Sequence, residues 1–195
     1  ILFITAIFAD VLAPYGINQV NPMAALKSPS IAHLLGTDNL GRDIFTRIIY
    51  GARLSVIIAV SAAILATIIS VAVGVASGYF GRLVDSGTQR VVDAWMSFPD
   101  IIVLIVGVSI IGPGTWQVIL LLGLLYGISG SRVIRGSVLS ARENLYVQAG
   151  HSIGASAWHI VWRHILPTIM ATVIVLFTTR LGAVILAESG LSFLG

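Results

Sequence analysis

A chain of 195 residues that is 57% hydrophobic and only 10% charged has too little charge to cover a water-facing surface, since a soluble domain carries about 25%. Its net charge of +3 rests on 11 basic residues, which suits arginines beside phospholipid headgroups and argues against a nucleic-acid surface. The absence of cysteine excludes disulfides, thiolate catalysis and zinc–thiolate sites.

The composition therefore reads as an all-α integral membrane protein, and its elements can be taken in order. Residues 1–13 are apolar apart from Asp10 and would reach only about 20 Å as a helix, against a bilayer core of about 30 Å. They read as the end of a first transmembrane helix, in a fragment lacking its true N-terminus. Pro14, Gly16 and Pro22 end it, and residues 14–52 read as an extracytoplasmic connector. In that connector Gly36 and Gly41 flank Thr37 and Asp38, a turn or cap signature. From Asp43 onward Ile44, Phe45, Ile48, Ile49 and Leu54 share a helical face, with Arg42, Arg47 and Arg53 elsewhere. This predicts an interfacial amphipathic helix.

Residues 53–195 read as one transmembrane domain. The first span, 54–80, is uncharged and carries small residues four apart, such as Gly74 and Gly78, which allow close helix approach in lipid. A polar connector leads to a second span at 91–111, interrupted by Pro99-Asp100. There a proline removes an amide donor, and a carboxylate at depth must find water or a partner. Either the span starts deeper and is short, or Asp100 faces an internal aqueous path. The turn Gly112-Pro113-Gly114 precedes a third span at 115–131. A fourth, 168–187, contains Arg180.

Between the last two spans lies YVQAGHSIGASAWHIVWRHILP, residues 146–167, too regular for a loose loop and too polar to span. It reads as a helix–turn–helix hairpin, extending over 141–167, closed by Leu166-Pro167 and offering one face to a partner. Lys and Arg concentrate in the connectors 81–93 and 132–167, whereas the turn 112–114 and the tail from Glu188 have none. The positive-inside rule puts the hairpin in the cytoplasm.

No catalytic chemistry is legible. There is no GxxxxGK[ST] phosphate loop, and the only lysine is Lys27, so the chain holds no P-loop ATP site. His151, His159 and His164 share a neighbourhood without acidic companions, a weak pattern for metal binding. No GxSxG elbow exists. The chain is not read as an enzyme, and no catalytic or metal-binding residue is assigned.

The hairpin resembles the cytoplasmic loop of ABC importer permeases, whose pattern is Glu-Ala-Ala, three residues, Gly, nine residues, Ile, one residue, Leu-Pro. Gln148, Ala149 and Gly150 stand at the first three positions, Gly154 at the glycine, His164 at the isoleucine, and Leu166-Pro167 at the end. The glycine, the spacing and Leu-Pro match, whereas the Glu, the third Ala and the Ile do not. LGTDNLGRDIFTRIIYGARLS, GYFGRLVDSGTQRVVDAWMSFPD and LAESGLSFLG are similar to the dipeptide/oligopeptide/nickel branch of that family, second permease subunit type. Family members continue past LSFLG into a further loop and helix, so the C-terminus is also read as incomplete.

The resemblance implies a type I ABC importer transmembrane domain. Its expected partners are a second permease subunit in a heterodimer, two cytoplasmic ATP-binding subunits, an extracytoplasmic substrate-binding protein and the lipid bilayer of a prokaryotic plasma membrane. ATP and Mg would bind the ATPase subunits, leaving this chain without a cofactor. The hairpin would be the coupling helix, mainly 143–153, with 155–166 returning. Tyr146 would anchor it, Ala149 and Gly150 would allow close backbone approach, and Gly154 would permit the turn. Gln148 offers hydrogen bonding without an ion pair, so docking through it would depend little on salt. An alternative reading is a stand-alone secondary transporter or channel with Asp100 and Arg180 as intramembrane coupling charges. In either case these two charges are candidates for a substrate path, while the substrate, whether peptide, nickel or another small solute, is not legible.

Overall fold

A computed structural model describes residues 2–194. Ile1 and Gly195, the outer ends of the segments expected at 1–13 and 53–195, lie outside the described residues. Among the described residues the regular elements are helices, with one isolated bridge between Thr37 and Asp43. The chain divides into two compact units, Ile1–Ile57 and Ile58–Gly195.

In the first unit, α1 (Leu2–Ile7) and α2 (Ala9–Leu12) replace the single helix expected over 1–13. The connector folds around two carboxylates. Asp38 accepts from the amides of Leu40 and Arg42, both at 2.9 Å, and from the guanidinium groups of Arg42 (2.8 Å) and Arg47 (2.5 Å). Partial burial works to raise its pKa, but these donors outweigh burial and hold the carboxyl well below its usual range. Asp43 is the helix cap, its Oδ2 accepting from the Thr46 amide at 2.8 Å. Its Oδ1 meets His33 Nδ1 at 3.0 Å.

Helix α3 (Ile44–Phe80) starts there and has 37 residues, about 55 Å at 1.5 Å per residue. The expected amphipathic helix and first span are thus one helix in sequence, with more residues than a bilayer core needs. No glycine–proline signal separates them, and Gly51 lies inside the helix.

The second unit holds the rest of α3 with α4 (Arg82–Met96), α5 (Asp100–Ile111), α6 (Thr115–Arg142), α7 (Leu145–Ser152), α8 (Ala157–Ile160) and α9 (Leu166–Leu194). The stretch expected to be one span over 91–111 is two helices, bent 85° at a break between Met96 and Asp100. Pro99, with φ −61° and ψ 131°, is extended at the cap, which restores no helix across the break. Asp100 opens α5, where its charge meets the positive end of the helix dipole. At 12 residues, about 18 Å, α5 does not cross a bilayer core by itself.

Helices α3 and α6 run parallel and close. Ser70 Oγ donates to Gly127 O at 2.8 Å. A Cβ on Gly127 would come within 2.7 Å of Ile69 Cβ, and one on Gly74 within 2.7 Å of Ser131 O. Both glycines are therefore required by the packing. α9 runs antiparallel to α6, with Ser137 paired to Thr172 and Ser129 to Arg180. Two apolar clusters result. One joins Ile58, Ala62, Leu104, Leu122 and Val184, and the other joins Tyr79, Val138, Val147, Ile160 and Ile165 at the hairpin end.

Candidate functional site

The hairpin is built outward from the second cluster. Val147, 1% exposed, seats α7 against Val138, Ile160 and Ile165. Gly150 is buried beside it, and a Cβ there would sit 3.7 Å from Ile160, an ordinary contact. Gly150 therefore faces inward, contrary to the expectation that it meets a partner, because it falls three residues after Val147 on the same helical face. Gln148 and Ala149 face out. With them stand Leu145, 82% exposed, and Ile153, 85% exposed. Leu145, Ala149 and Ile153 form an i, i+4, i+8 stripe, so the exposed face is apolar at both ends. Sequence reasoning missed Leu145 and Ile153, although their four-residue spacing around Ala149 was the available signal.

The turn follows from backbone chemistry. Gly154 has φ +78°. Its amide donates to His151 O and that of Ala155 to Gly150 O, both at 3.0 Å. This is the Schellman pattern, which satisfies the last carbonyls of α7 with a left-handed residue just past the helix. Ser156 then caps α8, accepting from the His159 amide at 3.3 Å.

Leu166-Pro167 does not close the hairpin. The returning arm passes through a π turn, Val161–Ile165, straight into α9. Proline lacks an amide donor and crowds the carbonyl four residues back. The wider π turn accommodates both problems without a break. Thr168 Oγ1 donates to His164 O at 2.7 Å. Tyr146, expected as an outward anchor, joins this chain instead. Asn144 Nδ2 donates to its hydroxyl at 3.0 Å, and that hydroxyl lies 2.8 Å from Thr168 Oγ1. Tyr146 thus ties α7 to the foot of α9. His159 and His164 lie 6.0 Å apart ring to ring, whereas His151 stacks on Tyr79.

The hairpin's attachment to the spans is also polar. Arg142 Nη1 donates to Gly78 O at 2.9 Å. Arg135 holds Asp85 with two hydrogen bonds of 2.5 Å, and Ser77 Oγ reaches the same carboxylate. Arg132 pairs with Asp93. The arginines that suggested the cytoplasmic side therefore fasten α3, α4 and α6 together.

Deeper in the unit, Arg180 lies over the Tyr126 ring at 5.0 Å, and its Nη2 is 3.4 Å from Ser129 Oγ. Its Nε is buried without a partner, an incomplete satisfaction that is costly away from water. Asp100 is exposed at the start of α5. Among the described residues the structure shows no direct contact between the two charges singled out from sequence, and only Arg180 is seen against the Tyr126 ring. Tyr126 and Ser129 were not foreseen, since neither is charged.

The profile of the family described as "Binding-protein-dependent transport system inner membrane component" matches residues 70–195. The chain is 37% identical over 190 residues to the dipeptide transport system permease protein DppC of Alkalihalophilus pseudofirmus, covering 97% of this chain and 62% of that protein. It is 36% identical over 194 residues to DppC of Bacillus subtilis, covering 100% of this chain and 61% of the relative. The chain therefore spans about three fifths of the length of these relatives. With the match running from the second half of α3 through the hairpin and α9, the chain belongs to the family of binding-protein-dependent transport system inner membrane components.

Proposed function

We propose that this chain is the permease subunit of an ATP-driven importer for dipeptides, oligopeptides or a related small solute, and that it hands ATPase motion to the transport path through α7. The observation that carries the reading is the two-sided build of the hairpin. Its outer face, Leu145–Ala149–Ile153, is exposed and apolar, while its inner face packs on α6 and the returning arm through Val147 and Gly150 and is tied to α9 by the Tyr146–Thr168 contact. A push on that face has nowhere to go except into the two helices. From Thr168 to Arg180 along α9 is about 18 Å at 1.5 Å per residue, so tilting the foot of α9 moves Arg180 relative to Ser129 and Tyr126 on α6.

The chain is a multi-pass protein of the prokaryotic plasma membrane with a type I ABC transporter transmembrane domain. The proposed partners are a second permease subunit, two ATP-binding subunits carrying ATP and Mg, and an extracytoplasmic substrate-binding protein. Transport of dipeptides by the DppC systems named above supports peptide as the cargo. In this reading Arg180, Tyr126, Ser129 and Asp100 line part of the path and engage the charged ends of a peptide as it passes. The test is uptake of labelled dipeptide into proteoliposomes holding the assembled complex. Uptake that needs ATP and falls on Ala149→Arg supports the reading. Uptake driven by an ion gradient without ATP overturns it.

A further inference from the structure

We propose that the groove between α3 and the returning arm of the hairpin binds one anionic phospholipid, acyl chain inside and phosphate at Arg163. The inference needs only the membrane location of the chain and stands apart from the transport reading.

The groove has a volume of about 630 Å³, with Val71, Val75 and Phe80 on one side and Val161, Leu166 and Met170 on the other. Thr67 brings the one hydroxyl among its lining side chains, and that hydroxyl is spent, donating to Ala63 O at 2.7 Å. The wall therefore offers an occupant nothing but apolar contact. Trp158 and Trp162 stand at one end, 5.5 Å apart in an edge-to-face pair. Tryptophan pairs of this kind favour the headgroup level, where one side of the ring is apolar and the other wet.

The same two tryptophans line a second pocket, of about 700 Å³, with Ser156, His159 and Arg163. The apolar groove and this mixed basin thus share an aromatic border. The charge of that basin has one sign. Residues 144–187 contain no Asp or Glu. Arg163 is exposed and, among the described residues, has no carboxylate partner, whereas Arg132, Arg135 and Arg142 are engaged with Asp93, Asp85 and Gly78. A long arginine at this level extends its charge to the interface while its stem lies along apolar surface.

An apolar chain joined to a negative head satisfies both halves together, and a phospholipid carries both by construction. A neighbouring protein helix could fill the groove, but it would need a carboxylate at the same depth to answer Arg163. One basic residue near an anionic surface contributes about 1 kcal/mol, close to a fivefold preference at 1.4 kcal/mol per tenfold.

The test uses the assembled complex in nanodiscs doped with phospholipid carrying a diazirine in its acyl chain, as phosphatidylglycerol or phosphatidylcholine. Cross-linked positions are mapped by peptide mass spectrometry. The expected result is labelling of residues 71–80 and 157–170, about fivefold stronger with phosphatidylglycerol. Arg163→Gln should bring the two lipids to parity without lowering phosphatidylcholine labelling, and Arg163→Lys should keep most of the preference. Filling the groove with Ala72→Phe should lower labelling by both. Equal labelling by the two lipids in the unsubstituted protein would overturn the proposal in favour of an unselective lipid-facing surface. Absence of labelling would overturn it in favour of a protein segment covering the groove.

Discussion

Replacing Gly154 separates backbone geometry from every other contribution to the hairpin. Its φ is +78° and a Cβ built there meets nothing within 4 Å, so a side chain adds no clash, only the cost of the left-handed conformation. That cost is about 1–2 kcal/mol for an ordinary L-residue. Relief of unfolded-chain entropy on losing glycine returns about 0.4–1 kcal/mol. If the turn opens, the amides of Gly154 and Ala155 lose their bonds to His151 O and Gly150 O, each worth about 1 kcal/mol net. Those bonds are lost on opening in parent and variant alike, so Gly154→Val should favour the open turn by the strain less the entropy return, about 0.5–1.5 kcal/mol, or roughly 2- to 12-fold in population. Gly154→Asn, which tolerates left-handed backbone, should shift it by no more than a few tenths. Hydrogen exchange of the amides of 154 and 155, read by mass spectrometry in nanodiscs, measures this opening directly. Protection should fall roughly 2- to 12-fold for the Val variant and stay near the parent for Asn. Equal protection in the two variants would refute the backbone reasoning, because they differ chiefly in their tolerance of that φ.

Other outcomes follow from contacts already described. Gly127→Leu should lower the stability of the helix bundle by about 1–3 kcal/mol through overpacking against Ile69, read as a lower thermal midpoint in detergent. Asp85→Asn should cost about 1–2 kcal/mol by weakening charge-assisted bonds to Arg135, a figure kept low because both side chains are partly exposed; a loss smaller than that of an exposed control such as Arg90→Gln would count against it. Arg180→Gln should reduce dipeptide uptake tenfold or more while leaving ATP hydrolysis by the complex within twofold, with Arg180→Lys intermediate; unchanged uptake removes Arg180 from the path. Because the Asp38 carboxyl titrates below its unfolded value, its contribution to the first unit is present above about pH 4. It should be lost progressively at lower pH as Asp38 takes up a proton. Asp38→Asn should remove part of that acid sensitivity, as followed by circular dichroism.

The membrane class, the number of apolar stretches and the position of the hairpin were legible because burial in lipid demands long uncharged runs and water-facing turns demand charge. The details that were not legible share a cause: each depends on what a residue meets. Pro99 signalled a kink, yet the chain breaks there and restarts at Asp100 with an 85° change of direction. Pro167 looked like a stop, but a π turn upstream carries the helix through it. Gly150 looked like a docking surface by its size, while its burial is set by Ile160 on the returning arm. Leu145 and Ile153 were not singled out from sequence, and they are exposed because Val147 and Gly150 occupy the inner face of α7. Arg180 was conspicuous, but the neutral Tyr126 and Ser129 that meet it carry no signal of their own.

The central claim is that the outer face of α7 docks on an ATP-binding subunit. The absence of cysteine in this chain allows a direct measurement. Ala149→Cys and Val147→Cys differ in one property, since Ala149 faces out and Val147 is 1% exposed toward the spans. In membranes containing the assembled complex, a short homobifunctional thiol reagent should join Ala149→Cys to cysteines introduced around the permease-facing groove of the ATPase subunit. The yield should change on adding ATP, and Val147→Cys should give no product. Cross-linking of Val147→Cys in preference to Ala149→Cys, or of neither while transport persists, would contradict the assignment of α7 as the coupling helix.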